Sequence, residues 1–231
     1  QGGAGGYVPP MTEPTINIRI LPVTPFQQNC SLVWCRETME GAFVDPGGET
    51  DKLIAQADAD GVKITKILVT HGHLDHASAV ADMADHYQVP IEGPHKEEVF
   101  WIDQIVEQAA QYGFPPARCF TPDRWLDDDD QVTLGNLTFD IVHCPGHTPG
   151  HVVFVDAANR IAFVGDVLFQ GSIGRTDFPR GDQDSLISAI RDKLFPLGDD
   201  IAFVPGHGQV STFGHERASN PYVADRAQGR G

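Results

Sequence analysis

His71-Gly72-His73-Leu74-Asp75-His76 places three imidazoles and a carboxylate in one short run, directly after the apolar stretch Lys66-Ile67-Leu68-Val69-Thr70. Imidazole nitrogen and carboxylate oxygen are the donor types that hold zinc, iron or manganese. Packing them so tightly serves no hydrophobic core, because a buried polar group without a partner costs free energy. The run therefore reads as a metal site. The apolar stretch before it supplies a strand and Ala77 onward a helix, so the donors sit at a strand-to-helix junction. In an extended loop, residues two apart point the same way. His71 and His73 can thus converge on one ion, while Asp75 and His76, further round the turn, could face a second ion nearby.

Three later segments repeat the theme of an apolar strand that ends in a metal-donor residue. They are Ile141-Val142-His143-Cys144-Pro145-Gly146-His147, followed by Thr148-Pro149-Gly150-His151; Ile161-Ala162-Phe163-Val164-Gly165-Asp166; and Ile201-Ala202-Phe203-Val204-Pro205-Gly206-His207-Gly208. Glycine before each of His147, Asp166 and His207 permits tight turns and close approach. Loops at strand ends, held by a rigid framework, are where sites are built.

Outward from these motifs, short runs rich in Val, Ile and Phe predict strands over 16–21, 31–35, 42–44, 67–69, 137–142, 152–155, 161–164 and 201–204. Helical periodicity covers 50–60, 76–87, 96–112 and 184–194. Asp182 is placed to cap the last helix, and Gly113-Phe114-Pro115-Pro116 ends the long one. Strands first, then strands interleaved with helices, point to two sheets with helices outside them. Residues 1–10 read as a tag or disordered leader before Met11, and 11–231 as one domain, since the stretch after His207 is too short for another.

Thirty-two acidic against sixteen basic residues give a net charge of −16. That field opposes nucleic-acid binding, which depends on neutralising phosphates. No apolar run is long enough to span a membrane. The four cysteines (Cys30, Cys35, Cys119 and Cys144) form no CxxC pair and suit a reducing, cytoplasmic setting. The run Asp127-Asp128-Asp129-Asp130 reads as a solvated turn before a strand at Val132. Asp45, at a strand end before Pro46-Gly47-Gly48, is a turn former or an acceptor for a ligand histidine. His151 reads as holding a neighbouring loop or as a second-layer partner of the site. His143 and Cys144 read as packing residues flanking the site, and His86, His95 and His215 as surface or local structural groups.

The order HxHxDH, GHTPGH, strand-Gly-Asp, PGHG resembles the metallo-β-lactamase superfamily, and looks most like its glyoxalase II branch, the hydroxyacylglutathione hydrolases, in the short bacterial form without a C-terminal helical domain. The resemblance covers the chain from Met11 onward. It implies an α/β (α+β) fold, a four-layer αββα sandwich with metals at one edge of the sheets. It implies that His71, His73 and His147 bind one divalent ion, that Asp75, His76 and His207 bind a second, and that Asp166 bridges them. Zinc is the foremost candidate, and iron or manganese suits the same donors. Asp75 and Asp166 are then the catalytic carboxylates. The implied reaction is hydrolysis of a small-molecule thioester, S-D-lactoylglutathione, to D-lactate and glutathione through a hydroxide shared by ions about 3.5–4 Å apart. No obligatory protein partner is implied.

Arg175 matches by position a basic residue that contacts the glutathione glycine carboxylate in that branch. Asp177 stands where a tyrosine is often found, Gln209 where another follows the last histidine, and the branch's other aromatic contacts have no clear match. The competing readings are a persulfide dioxygenase with one iron, a lactonase or β-lactamase of the same fold, and a metal-binding protein without activity.

Overall fold

The computed structural model describes residues 15–225, so the leader read over 1–10 and the start at Met11 lie outside the described residues. The first half of the chain builds a five-stranded sheet from β1 (Ile16–Val23), β2 (Gln28–Cys35), β3 (Glu40–Val44), β4 (Lys63–Leu68) and β5 (Ile91–Glu92), in that spatial order. The β3, β4 and β5 strands are parallel, and α1 (Thr50–Asp60), then α2 (Leu74–Ala77) and α3 (Val80–Tyr87), make the crossovers. Next come α4 (Val99–Ile102) and α5 (Ile105–Tyr112). The second half supplies β6 (Gln131–Leu134), β7 (Leu137–His143), β8 (Val152–Asp156), β9 (Ile161–Gly165), the small hairpin of β10 (Leu168–Phe169) and β11 (Ser172–Ile173), α6 (Gln183–Ser188), β12 (Ala202–Pro205), β13 (Ser211–Thr212) and α7 (Phe213–Ser219). Its six-stranded sheet runs β13-β12-β9-β8-β7-β6.

Alternation along the strands divides the apolar side chains among three layers of core. In β2, Leu32 and Trp34 pack outward with Leu53, Val80, Met83 and Ile105 of the helices. Their neighbours Val33 and Cys35 turn the other way and meet Phe139, Phe154 and Phe163 of the second sheet. On that sheet's far side, Val153, Val155, Val164 and Phe203 pack against Leu186, Ile190, Leu194 and Phe195. A period of two places successive side chains on opposite faces, and with helices outside each sheet the layers read αββα. The fold expected from the motifs is the one formed.

Three helices differ from the periodicity. The span 76–87 divides, because the Ala79 N–H turns to the Pro46 carbonyl at 3.1 Å and leaves the helical ladder. The span 96–112 opens with a 3₁₀ turn (Lys96–Glu98) and breaks again between α4 and α5. The span 184–194 widens into a π-helical turn (Ala189–Leu194) after α6. Asp182 does cap α6, accepting the Ser185 N–H at 2.7 Å. D182A is therefore expected to lower the urea midpoint of unfolding by roughly 0.3–0.5 M, the effect of a lost side-chain cap. The run from Asp127 forms the turn before β6, with Asp127, Asp128 and Asp129 exposed.

Strand direction collects the motifs at one edge. The β4 strand ends there, as do β9 and β12, which are parallel to each other, and the loop joining antiparallel β7 to β8 turns there. Two backbone hydrogen bonds cross between the sheets at this edge: Val152 N–H to the Thr70 carbonyl at 2.9 Å, and Asn29 N–H to the Gly206 carbonyl at 2.7 Å.

Candidate metal centre

The extended Thr70–His73 segment beyond β4 brings His71 and His73 together, and the β7–β8 loop brings His147 to meet them. His73 Nδ1 lies 3.2 Å from His71 Nε2 and 3.0 Å from His147 Nε2. Three ring nitrogens facing one another this closely cannot all be satisfied by protons, and a cation at their centre would take all three lone pairs. The α2 turn carries Asp75 and His76 to a second position, where the β12 end brings His207. Asp75 Oδ2 is 3.0 Å from His207 Nε2 and 3.7 Å from His76 Nε2. Asp166 lies between the two groups, with Oδ1 3.2 Å from His76 Nε2 and Oδ2 3.6 Å from His147 Nε2. His76 Nε2 and Asp166 Oδ1 are fully buried, yet neither makes a hydrogen bond. Orphaned donors of this kind fit a bound cation.

Two glycines make the approach possible. Gly165 holds φ +49°, the left-handed region that suits glycine, and turns the chain from β9 to Asp166. A Cβ at Gly206 would fall 2.1 Å from Asp166 Oδ1 and 2.5 Å from His76 Cε1.

Behind the donors, a hydrogen-bond layer fixes which ring nitrogen faces inward. Asp45 Oδ2 accepts the His76 Nδ1–H at 2.8 Å and the Thr70 hydroxyl at 2.5 Å, while Oδ1 accepts the Thr70 N–H at 2.7 Å. The Thr70 hydroxyl accepts in turn from His71 Nδ1 at 3.0 Å. His147 Nδ1 donates to the Arg175 carbonyl at 2.7 Å, and His207 Nδ1 to the Phe26 carbonyl at 3.2 Å. Each of these four rings thus turns its Nε2 inward, the orientation that metal binding needs. Asp45 thus accepts from His76 and also bends the chain at φ 53°. His151 Nε2 accepts the Asp166 N–H at 3.1 Å and holds that loop.

Burial, joined by the neighbouring rings, lowers the pKa of His71, His73 and His151 well below the ordinary histidine value, and burial lowers His147 as well. These rings are neutral near pH 7 and offer lone pairs. Burial opposes charge on Asp166, but the facing His76, His147 and His207 rings carry it below the usual carboxylate range. Burial also opposes charge on His76, and Asp166 and Asp75 overcome it and raise that pKa well above the ordinary value. The neutral imidazoles of His71, His73 and His147 and an ionised carboxylate therefore share one largely buried centre.

Above it opens a cavity of about 800 Å³. His73, Asp75, His147, Asp166 and His207 form its floor, and Phe26, Trp101, Tyr112, Phe169 and Phe178 its aromatic walls. The α4–α5 segment adds Gln104, Glu107, Gln108 and Gln111. Arg175 is the one cationic side chain on the wall among the described residues. Its guanidinium grips Asp177 with two bonds, of 2.6 and 2.7 Å, and lies 4.2 Å from the Phe178 ring centre. A second cleft, of about 860 Å³, lies beside Gly47 and Gly48 and contains none of the seven donors, so size alone does not locate the site.

All seven expected donors therefore meet at one edge, with Asp45 and His151 directly behind them. His143 bonds the Pro149 carbonyl at 2.9 Å and Cys144 is buried, as packing residues flanking the site. His86 and His215 are exposed, and His95 is a local structural group: its ring stacks on His143 at 4.3 Å and caps the 3₁₀ turn. Sequence reasoning missed Thr70, Asn29 and Glu98. Asn29 Nδ2 donates to the Pro205 and Gly208 carbonyls, both at 3.0 Å, and so holds the His207 loop. Glu98 is fully buried; burial raises its pKa to about 7, against the N–H groups of Gly72 and Gly150 that favour its charge. The aromatic walls were missed too: Phe178 lies in the Arg175 loop, but Phe26, Trp101 and Tyr112 come from segments other than those the resemblance pointed to.

Comparison with known proteins agrees with this geometry. The family model described as the metallo-beta-lactamase superfamily matches residues 23–207. A curated protein of Haemophilus influenzae named hydroxyacylglutathione hydrolase GloC is 46% identical over 213 residues, which is 92% of this chain and all of that one. Among solved structures, BLEG-1 B3 metallo-beta-lactamase superposes with a TM-score of 0.83 at 33% identity, covering 90% of this chain and 99% of that one. TTHA1623 in a di-iron-bound form superposes at 0.80 and 33% identity, covering 89% of this chain and all of that one.

Proposed function

Because the chain belongs to the metallo-beta-lactamase superfamily and is a metal-dependent hydrolase, we propose that it cleaves hydroxyacyl thioesters, converting S-D-lactoylglutathione to D-lactate and glutathione. His71, His73 and His147 would hold one divalent ion and Asp75, His76 and His207 a second, with Asp166 placed to serve both. Zinc would suit these donors, and iron or manganese can take the same ones. The four cysteines, all unpaired, fit a cytoplasmic enzyme, and no helix among the described residues is long and apolar enough to cross a membrane.

The observation that carries this reading is the Asp166 carboxylate set between both groups of donors, 3.2 Å from His76 and 3.6 Å from His147. When bound, two ions supply a nucleophile at neutral pH and a Lewis acid for the attacked carbonyl. The chain's own residues do the rest. Asp75 and Asp166 keep negative charge on the floor of the site, which retains the ions and orients water. Trp101 and Phe178 meet the His73 ring at 4.5 and 4.9 Å, edge to face, and shut solvent from that side. The thioester enters between these walls and the rim of Phe26 and Tyr112. Its leaving thiolate has a low pKa compared with an alkoxide and needs little help from a general acid.

Arg175 is the group for a carboxylate on the thiol portion, because a guanidinium fork matches a carboxylate with two bonds. Here Asp177 already occupies that fork. D177N is expected to free it and lower KM for S-D-lactoylglutathione roughly two- to fivefold, with kcat unchanged, since exposed ion pairs are weak competitors. R175A should raise KM instead. Initial-rate kinetics on both variants check this.

A β-lactam is the second substrate to try, because of the likeness to BLEG-1. The test is metal analysis paired with thioester loss from S-D-lactoylglutathione and ring opening of a chromogenic cephalosporin. Thioester loss with two metals supports the proposal; ring opening alone replaces it.

A further inference from the structure

Glu98 lies in the 3₁₀ turn ahead of α4, with no exposed surface. Its Oε2 accepts the N–H of Gly72, between His71 and His73, at 2.8 Å. Its Oε1 accepts the N–H of Gly150, between His147 and His151, also at 2.8 Å. The first loop leaves the end of β4 in one sheet, and the second joins β7 to β8 in the other. The three-histidine position is divided in the same way, with two rings on the first loop and one on the second. One carboxylate therefore spans the gap across which that position is assembled.

The contact is closely built. A Cβ at Gly150 would fall 2.7 Å from both Glu98 Cγ and Glu98 N, and one at Gly72 would meet Ile102, Trp101 and Glu98 at 3.0–3.1 Å. The His95 N–H adds a bond to the Gly150 carbonyl at 3.0 Å. By contrast, His76 is held by Asp45, and the His207 loop by Asn29. We propose that Glu98 is a positioning residue that sets the spacing of the two histidine loops, and so governs metal affinity at the His71/His73/His147 position without governing the Asp75/His76/His207 position. It rests on the two-position assignment above.

The test exploits the chemistry of the bridge. Both carboxylate oxygens accept, so the isosteric Gln of E98Q must turn an NH₂ toward one backbone N–H and lose that tether. Its shape is kept and a buried charge is removed, so folding is not what it attacks. Metal-free protein is titrated with Zn²⁺ against a chromogenic chelator. E98Q should weaken one zinc equivalent roughly 10–100-fold, the range for groups behind metal ligands, and leave the other within about threefold. H207A and H147A should each retain one equivalent, which tests the assignment separately. In those backgrounds E98Q should weaken the zinc left in H207A and spare the zinc left in H147A. Equal weakening at both positions, or none at either, overturns the proposal. Should E98Q fail to fold, E98D, which keeps the charge but reaches only one loop, should show the same selectivity. If neither folds, Glu98 is a folding residue and the proposal is wrong.

Discussion

Asp166→Ala is expected to strip metal from the protein and lower thioester hydrolysis by at least roughly a thousandfold, a barrier increase of about 4 kcal/mol. The reason is the carboxylate's position: Oδ1 is 3.2 Å from His76 Nε2, and Oδ2 is 3.6 Å from His147 Nε2 and 3.7 Å from His207 Nε2. Without it, imidazoles from both positions face one another with no anion between them. Two cations held there would then repel one another without that anion between them. D166N keeps the shape and removes the charge, so it should fail in the same way. His73→Ala removes the nitrogen that faces both His71 and His147 and should empty the three-histidine position. Metal analysis after gel filtration and initial rates read both effects. Wild-type metal content and rate in D166A and H73A would refute the ligand assignment.

Asp45→Asn is expected to weaken metal binding roughly 10–100-fold with little change in the backbone. Asn tolerates the left-handed conformation that position 45 adopts at φ 53°. It can still accept the Thr70 N–H through Oδ1. The amide NH₂ replacing Oδ2 cannot accept from His76 Nδ1 or from the Thr70 hydroxyl, which now bond that oxygen at 2.8 and 2.5 Å. His76 is then driven to the tautomer that carries its proton on Nε2, the nitrogen facing Asp166. The Thr70 hydroxyl loses its fixed direction, and with it the hold on His71. One substitution outside the donor set thus disturbs a ring at each position. Zinc titration should show both equivalents weakened, in contrast to the single equivalent expected from E98Q. An unchanged titration curve would contradict this role.

The donors were legible because metal chemistry compresses them. His71, His73, Asp75 and His76 fall in one loop, and His147, Asp166 and His207 each end a strand whose apolar run announces it. The two sheets were legible for the same reason, since strands such as β2 and β8 are buried along their whole length. What supports the donors was not. Glu98 sits in the charged run Lys96-Glu97-Glu98 and differs from its neighbours only in where the 3₁₀ turn aims it. Thr70 and Asn29 act through bonds to chain segments far away in sequence, or through one hydroxyl among many, and neither leaves a pattern. The broken helices were hidden because periodicity records which face is buried and not whether the ladder is continuous. Ala79 is apolar and in phase, yet its N–H belongs to Pro46. Substrate choice was the least legible part: Arg175 has the expected place, but its partner Asp177 and the walls from Phe26, Trp101 and Tyr112 emerge only in the folded chain.

The most direct test of the central claim is thioester loss from S-D-lactoylglutathione, measured on protein shown to hold two metal equivalents. The expected result is hydrolysis with kcat/KM on the order of 10⁴ M⁻¹ s⁻¹ or above, lost on chelation and restored by zinc. Two bound ions with no thioester loss would contradict it.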